Sequence, residues 1–110
     1  MNPNRPKQAR PREIKQRLDA GEDLVLIDVR EPEEVRRASI EQAEVYPMSQ
    51  AAAWIDSLPK DRELVIMCHH GGRSAQVAMA LAQRGHSNVT NMSGGIDAWS
   101  QEVDSSVPRY

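Results

Sequence analysis

The sequence has a single cysteine, Cys68. No internal disulfide can form, which excludes a disulfide-stapled scaffold and points to a reducing, cytoplasmic setting. No run of about 18 apolar residues occurs, so neither a transmembrane helix nor a membrane partner is expected. Near the N-terminus, Arg5, Lys7, Arg10 and Arg12 are not followed by an apolar stretch and do not read as a secretory signal. Nor are aromatic residues interleaved with them, so a solvated arm is the better reading than a nucleic-acid site. Internal repeats and low-complexity segments are lacking as well.

What is present suits one compact domain: 110 residues, 39% apolar, with a net charge of -2 spread over interleaved acids and bases. Residues 1–10 are polar, hold two prolines and read as a loose arm. Pro11 opens a helix along Ile14 and Leu18, and Gly21 stops it. The run Leu24 to Val29, broken by Asp28, is short and apolar without alternation, as expected of a strand buried on both faces. Pro32 with Glu31, Glu33 and Glu34 begins a second helix. A weak strand at Val45–Tyr46 ends at Pro47, and Ser49 caps a helix through Ala51, Trp54, Ile55 and Leu58 up to Pro59. Leu64 to Met67 is a second strong strand. A helix follows from Arg73 or Ser74 to Arg84, with Val77, Ala78, Leu81 and Ala82 on its apolar face. Asn88 to Met92 is a short strand. Gly94-Gly95 turns into a last helix with Ile96 and Trp99, and residues 104–110 form an irregular tail. Strands alternating with helices predict an α/β domain with a mostly parallel central sheet and helices on both faces.

The chemistry lies in Cys68-His69-His70-Gly71-Gly72-Arg73-Ser74, between a buried strand and a helix. Ligands of open α/β sheets bind at the carboxyl ends of the strands. Two glycines let the backbone curl and turn its N–H groups inward as an anion nest. The positive end of the following helix points at the same spot. Arg73 adds forked donors that suit a sulfonate or phosphate. A cradle for anions also stabilises a thiolate, so the Cys68 pKa should fall below its free value of about 8.5. A lone cysteine after an apolar strand also fits a small buried hydrophobe. The glycines and Arg73 behind it have no packing role and favour chemistry.

Three segments carry a resemblance: Leu26-Ile27-Asp28-Val29-Arg30-Glu31-Pro32, Cys68 to Ser74, and Gly94-Gly95-Ile96-Asp97-Ala98-Trp99. In order and separation they resemble the signature segments of the rhodanese family, from about the first helix to Trp99. The resemblance implies a rhodanese-like three-layer domain over residues 11–103, a parallel five-stranded sheet with helices on both faces. It implies a sulfurtransferase in which Cys68 takes sulfane sulfur from thiosulfate or a similar small anionic donor. The Cys68 persulfide then passes it to cyanide or a thiol. It also implies that His69, His70, Gly71, Gly72, Arg73 and Ser74 hold the substrate, and that Asp28 and Arg30 support the site. No metal or organic cofactor is implied. A protein could serve as sulfur donor or acceptor. Ala38-Ser39-Ile40 and Val35 depart from the family pattern, away from the loop.

Several alternatives are weighed beside this. One is a non-catalytic module that carries or senses sulfur or binds a partner. Tyrosine-type phosphatases place five residues between cysteine and arginine; here four, His69 to Gly72, intervene, which disfavours phosphatase or arsenate reductase activity. Zinc held by Cys68, His69, His70 and His86 is disfavoured because adjacent histidines should point apart. His86 is expected at the surface or in packing, and Trp54 and Trp99 in the core. Arg30 is expected to pair with Glu33 or Glu34, Asp28 to fix nearby loop N–H groups, and Ser74 to sit in the first turn of its helix.

Overall fold

A computed structural model describes residues 5–110. In chain order the elements are β1 (Lys7–Ala9), α1 (Pro11–Asp19), β2 (Leu24–Asp28), α2 (Pro32–Arg37), β3 (Glu44–Val45), a 3₁₀ turn (Met48–Gln50), α3 (Ala51–Trp54), β4 (Glu63–Met67), α4 (Gly72–Gln83), β5 (Val89–Met92) and α5 (Gly95–Glu102). The five strands form one sheet in the order β1-β5-β4-β2-β3, with every pairing parallel.

All five residues of β2 and all five of β4 are buried. That is why these runs show no alternation: both faces of the sheet are covered. Val25, Ile27, Leu64 and Ile66 face Trp54, Ile55, Leu58, Val77 and Leu81 on one side. Leu24, Leu26, Val65 and Met67 face Ile14, Ile96, Trp99 and Val107 on the other. Two apolar layers thus clamp the central strands and hold the carboxyl end of β4 in place. Cys68 is the next residue, 1% exposed and packed with the α3 and α4 layer.

The N-terminal stretch differs from the loose arm expected. Lys7, Gln8 and Ala9 pair with Thr90, Asn91 and Met92 and form the edge of the sheet. Only Ala9 of the three is buried. A three-residue edge strand with one inward side chain leaves no period to read, and its stability comes from the ladder it joins. Residues 1–4 of that arm lie outside the described residues. The Ser49-capped helix is also shorter than expected. A 3₁₀ turn precedes a four-residue α3, because Ser49 hydrogen-bonds Glu31 across the fold and does not cap its own helix. Residues 104–110 are irregular, yet Val107 is buried in the core.

Arg30 is 0% exposed and its partner is Asp28, not Glu33 or Glu34. Arg30 Nη2 donates to Asp28 Oδ2 at 2.6 Å and to the Ala38 carbonyl at 2.8 Å. Its Nη1 donates to the Glu34 carbonyl at 3.2 Å and to the Tyr110 hydroxyl at 3.0 Å. Sequence neighbours on a helix suggested the wrong acid, because the guanidinium folds back under the strand end to satisfy buried carbonyls. Burial alone would push Arg30 down; Asp28 and Tyr110 outweigh it and raise it. Asp28→Ala leaves this buried cation unpaired. Urea unfolding should show a loss of about 3–5 kcal/mol; a loss below about 1 kcal/mol would contradict the role given to the pair.

Candidate active site

The loop from Cys68 to Gly71 joins β4 to α4, and its conformation follows from where its carbonyls go. The Cys68 carbonyl accepts the Ile96 N–H at 2.9 Å, and the His69 carbonyl accepts the Asp97 N–H at 3.1 Å. Both donors belong to the first turn of α5, where amides have no partner within the helix. With its carbonyls drawn out to α5, the loop turns its amides inward to the sulfur. Gly71 N–H lies 3.1 Å from Cys68 Sγ and Ser74 N–H 3.4 Å; the His70 amide contributes as well. The Ser74 hydroxyl lies 3.3 Å from the same sulfur.

Two glycines make this approach possible. Gly71, with φ of 112°, caps α4 in the left-handed region. A Cβ on Gly95 would lie 2.3 Å from the Cys68 carbonyl oxygen and 2.5 Å from that of His69. No side chain fits there, so only glycine lets α5 reach the loop.

The electrostatics of Cys68 are a contest. Burial pushes the thiol up, and hydrogen bonds from the Ser74 hydroxyl and the Ser74, Gly71 and His70 amides push it down. Burying an ion costs several kcal/mol, and each hydrogen bond to a charged group returns about 1.5–3 kcal/mol. Several converging donors therefore outweigh the burial, and the thiol lies below its ordinary value.

Arg73 does not point its fork at the sulfur. Its Nη1 and Nη2 donate to the two Glu34 oxygens at 2.6 and 2.8 Å. Arg73 holds the Glu34 carboxyl at about 2, against the opposing effect of burial. The pair is therefore ionised across the neutral range. Tyr110 donates its hydroxyl to Glu34 at 2.8 Å and accepts from Arg30. Arg30 is thus linked to Glu34 and Tyr110, and among the contacts described the Asp28 carboxylate accepts only from Arg30, including its backbone N–H.

The histidines are stacked and do not point apart. The His69 and His70 rings lie 3.8 Å apart, and His69 stacks on Tyr110 at 3.9 Å with an interplanar angle of 8°. The C-terminal residue supplies the third plate, which no local spacing encodes. Burial and the neighbouring His70 push His69 down, so its ring is neutral at neutral pH. His70 is exposed at the rim, 3.9 Å from Asp97. His69, His70 and Asp97 come near one another. The planes of the two rings are 30° apart, and Asp97 is already engaged by Arg109 and Gln101. His86 is buried, and among the described residues neither it nor Cys68 joins His69 and His70 in a group that could share an ion, so the four-residue zinc set considered from sequence does not assemble.

Sequence reasoning missed Glu34, Asn91 and Tyr110. Asn91 accepts the Ser74 hydroxyl at 2.6 Å. A polar residue in the buried strand Val89–Met92 was the available signal.

Fold and loop together define a parallel α/β domain with a hydrogen-bonded, acid-shifted thiol at the carboxyl end of its middle strand. A model of the rhodanese-like domain matches residues 10–102, and the chain belongs to that family. It is similar to a sulfurtransferase of Allochromatium vinosum, 40% identical over 88 residues, covering 80% of this chain and 82% of that protein. A chloroplastic rhodanese-like/PpiC domain-containing protein of Arabidopsis thaliana is 40% identical over 93 residues, 81% of this chain but only 31% of the plant protein. Among solved structures, a rhodanese-like domain protein from Staphylococcus aureus superposes with a TM-score of 0.80 at 31% identity, covering 88% of this chain and 94% of that one. The chain is thus a member of a sulfurtransferase family. Among the described residues no helix is long and apolar enough to cross a membrane.

Three outcomes are expected of the cradle. Alkylation of Cys68 by iodoacetamide should be half-maximal below pH ~8.5, since the thiolate is the reacting form. Ser74→Ala removes a donor to that thiolate, so its midpoint should move up by about one unit; a midpoint that stays put would remove Ser74 from the cradle. Gly95→Ala combines a backbone collision with a φ of +59°. It should cost about 2–5 kcal/mol in thermal or urea unfolding, and unchanged stability would refute the close approach of α5.

Proposed function

We propose that this protein is a sulfurtransferase that carries sulfane sulfur as a persulfide on Cys68. The observation that supports it most is the set of inward donors on the Cys68 sulfur, from Gly71, Ser74 and the His70 amide. These groups stabilise one negative charge at one sulfur position. Together they suit the thiolate before transfer, and the amides among them suit the persulfide after it.

In the proposed cycle, Cys68 Sγ attacks the outer sulfur of thiosulfate or a similar small anionic donor. A new S–S bond forms, the old one breaks, and sulfite leaves with the bonding electrons. Cys68 now bears the persulfide, whose terminal sulfur needs the same amide donors. A thiophilic acceptor then attacks that terminal sulfur. Cyanide leaves as thiocyanate, a thiol as its own persulfide, and the Cys68 thiolate returns. Cys68 is the one cysteine of the chain, so no second thiol in it can take the sulfur off as an internal disulfide. The acceptor comes from outside, and a protein thiol is admissible at the exposed rim by His70.

Arg73 enters as a shared charge. Glu34 neutralises much of it, so it assists an anionic donor less than a free guanidinium would. No metal or organic cofactor enters this cycle.

Thiocyanate formation from thiosulfate and cyanide tests the reading. Cys68→Ala should lose turnover entirely while keeping its far-UV circular dichroism. Wild-type turnover in that variant would sink the assignment. Arg73→Ala should raise the KM for thiosulfate by about tenfold through loss of a charge-assisted contact, and an unchanged KM would take Arg73 out of donor binding. A folded wild-type protein with a low-pKa thiol and no thiocyanate would instead favour a sulfur-carrying module fed by another donor.

A further inference from the structure

Ser74 has one hydroxyl proton and two groups that can accept it. Cys68 Sγ lies 3.3 Å away and Asn91 Oδ1 2.6 Å away. Ser74 and Asn91 are 0% and 4% exposed, so water does not settle the account. The Asn91 amide is fixed from its other end. Its Nδ2 donates to Gln8 Oε1 of β1 at 3.1 Å and to the Gly71 carbonyl at 3.4 Å. A carbonyl can only accept, so the nitrogen must face Gly71 and the oxygen must face Ser74. Gln8 Oε1 is held in turn by the Ser93 hydroxyl at 2.9 Å.

While Cys68 is a thiol, every group is satisfied: S–H donates to Ser74 Oγ, and the Ser74 hydroxyl donates to Asn91 Oδ1. When the thiol proton leaves to solvent, the thiolate needs the Ser74 proton. The hydroxyl must then turn to the sulfur and leave Asn91 Oδ1 buried without a donor, which is costly. We propose that Asn91 is a positioning residue for the reacting thiol: it competes with Cys68 for the single Ser74 proton and limits how far the cradle stabilises the thiolate. That limit has a use. An over-stabilised thiolate is a weaker nucleophile. Once Cys68 carries sulfur, the charge moves to the outer atom and the Ser74 proton returns to Asn91. The device keeps the free thiolate reactive without weakening the loaded state.

The charged and titratable groups around the cradle come from every side. Arg73 of α4 is bound to Glu34 of α2. His69 and His70 lie in the loop, and Asp97 of α5 is paired with Arg109. The Asp28–Arg30 pair and Tyr110 lie behind Glu34. From β5 and β1 the groups in this network are uncharged, Asn91 and Gln8. Asn91 is therefore a lever on the thiol that works by hydrogen bonding and leaves these charges untouched.

The proposal rests on Cys68 being the reacting thiol, and its test needs no sulfur donor, so failure of sulfur transfer would be seen separately. The midpoint pH of Cys68 alkylation by iodoacetamide is compared in wild type, Asn91→Leu, Asn91→Asp, Ser74→Ala and the two double variants. Asn91→Leu frees the Ser74 proton and should lower the midpoint by about one unit, a tenfold change in the thiol to thiolate ratio. Asn91→Asp holds that proton harder and should raise it. In the Ser74→Ala background the Leu shift should vanish and the Asp shift should shrink to what its charge exerts through space. Equal shifts with and without Ser74, or Leu and Asp moving the midpoint the same way, would overturn the proposal. Should Asn91→Leu fail to fold, the Asp pair of measurements decides alone: a rise undiminished by Ser74→Ala contradicts it.

Discussion

The site depends on where two carbonyls point. Cys68 and His69 give theirs to the first turn of α5, and in doing so present the following amides to the sulfur. Neither half works alone. Without α5 the loop carbonyls would have no donors, and without the loop the leading amides of α5 would lack partners. The absence of a side chain at Gly95 lets the two meet. One backbone contact thus builds the cradle and joins β4 to the last helix. The apolar layers on either side of the sheet keep the strand ends steady enough for it to persist.

A second network surrounds this one. Arg30, buried and paired with Asp28, reaches Tyr110 and the carbonyl of Glu34; the Glu34 side chain holds Arg73. Tyr110 in turn lies flat on His69. The C-terminal segment is therefore part of the wall of the site. The same connections temper the charge of Arg73. In the proposed cycle the pull on an anionic donor would come mainly from amide dipoles, which are fixed by the fold, and only partly from the guanidinium.

Much of this was legible in the sequence. Apolar runs without alternation at Leu24–Val29, broken only by Asp28, and at Leu64–Met67 signalled strands covered on both faces, and each is fully buried. The glycines, Arg73 and the cysteine marked the loop, because such residues in that order have a mechanism that packing alone does not require. Family resemblance supplied the strand count. What escaped has a common cause. The edge strand at Lys7–Ala9, the Arg30–Asp28 pairing, the stacked histidines and the docking of Tyr110 all depend on residues far apart in sequence or on how a side chain folds back. Periodicity and spacing carry local information only. Asn91 is the intermediate case: its polarity in a buried strand was visible, but its partner was not.

The account turns on Cys68 holding transferable sulfur inside the cradle. The most direct test is the intact mass of the protein after thiosulfate and again after cyanide. The account predicts a gain of one sulfur atom, mapped by peptide analysis to Cys68 and removed by cyanide. An unchanged mass for a folded protein whose Cys68 still alkylates, given thiosulfate or a persulfide donor, would contradict it.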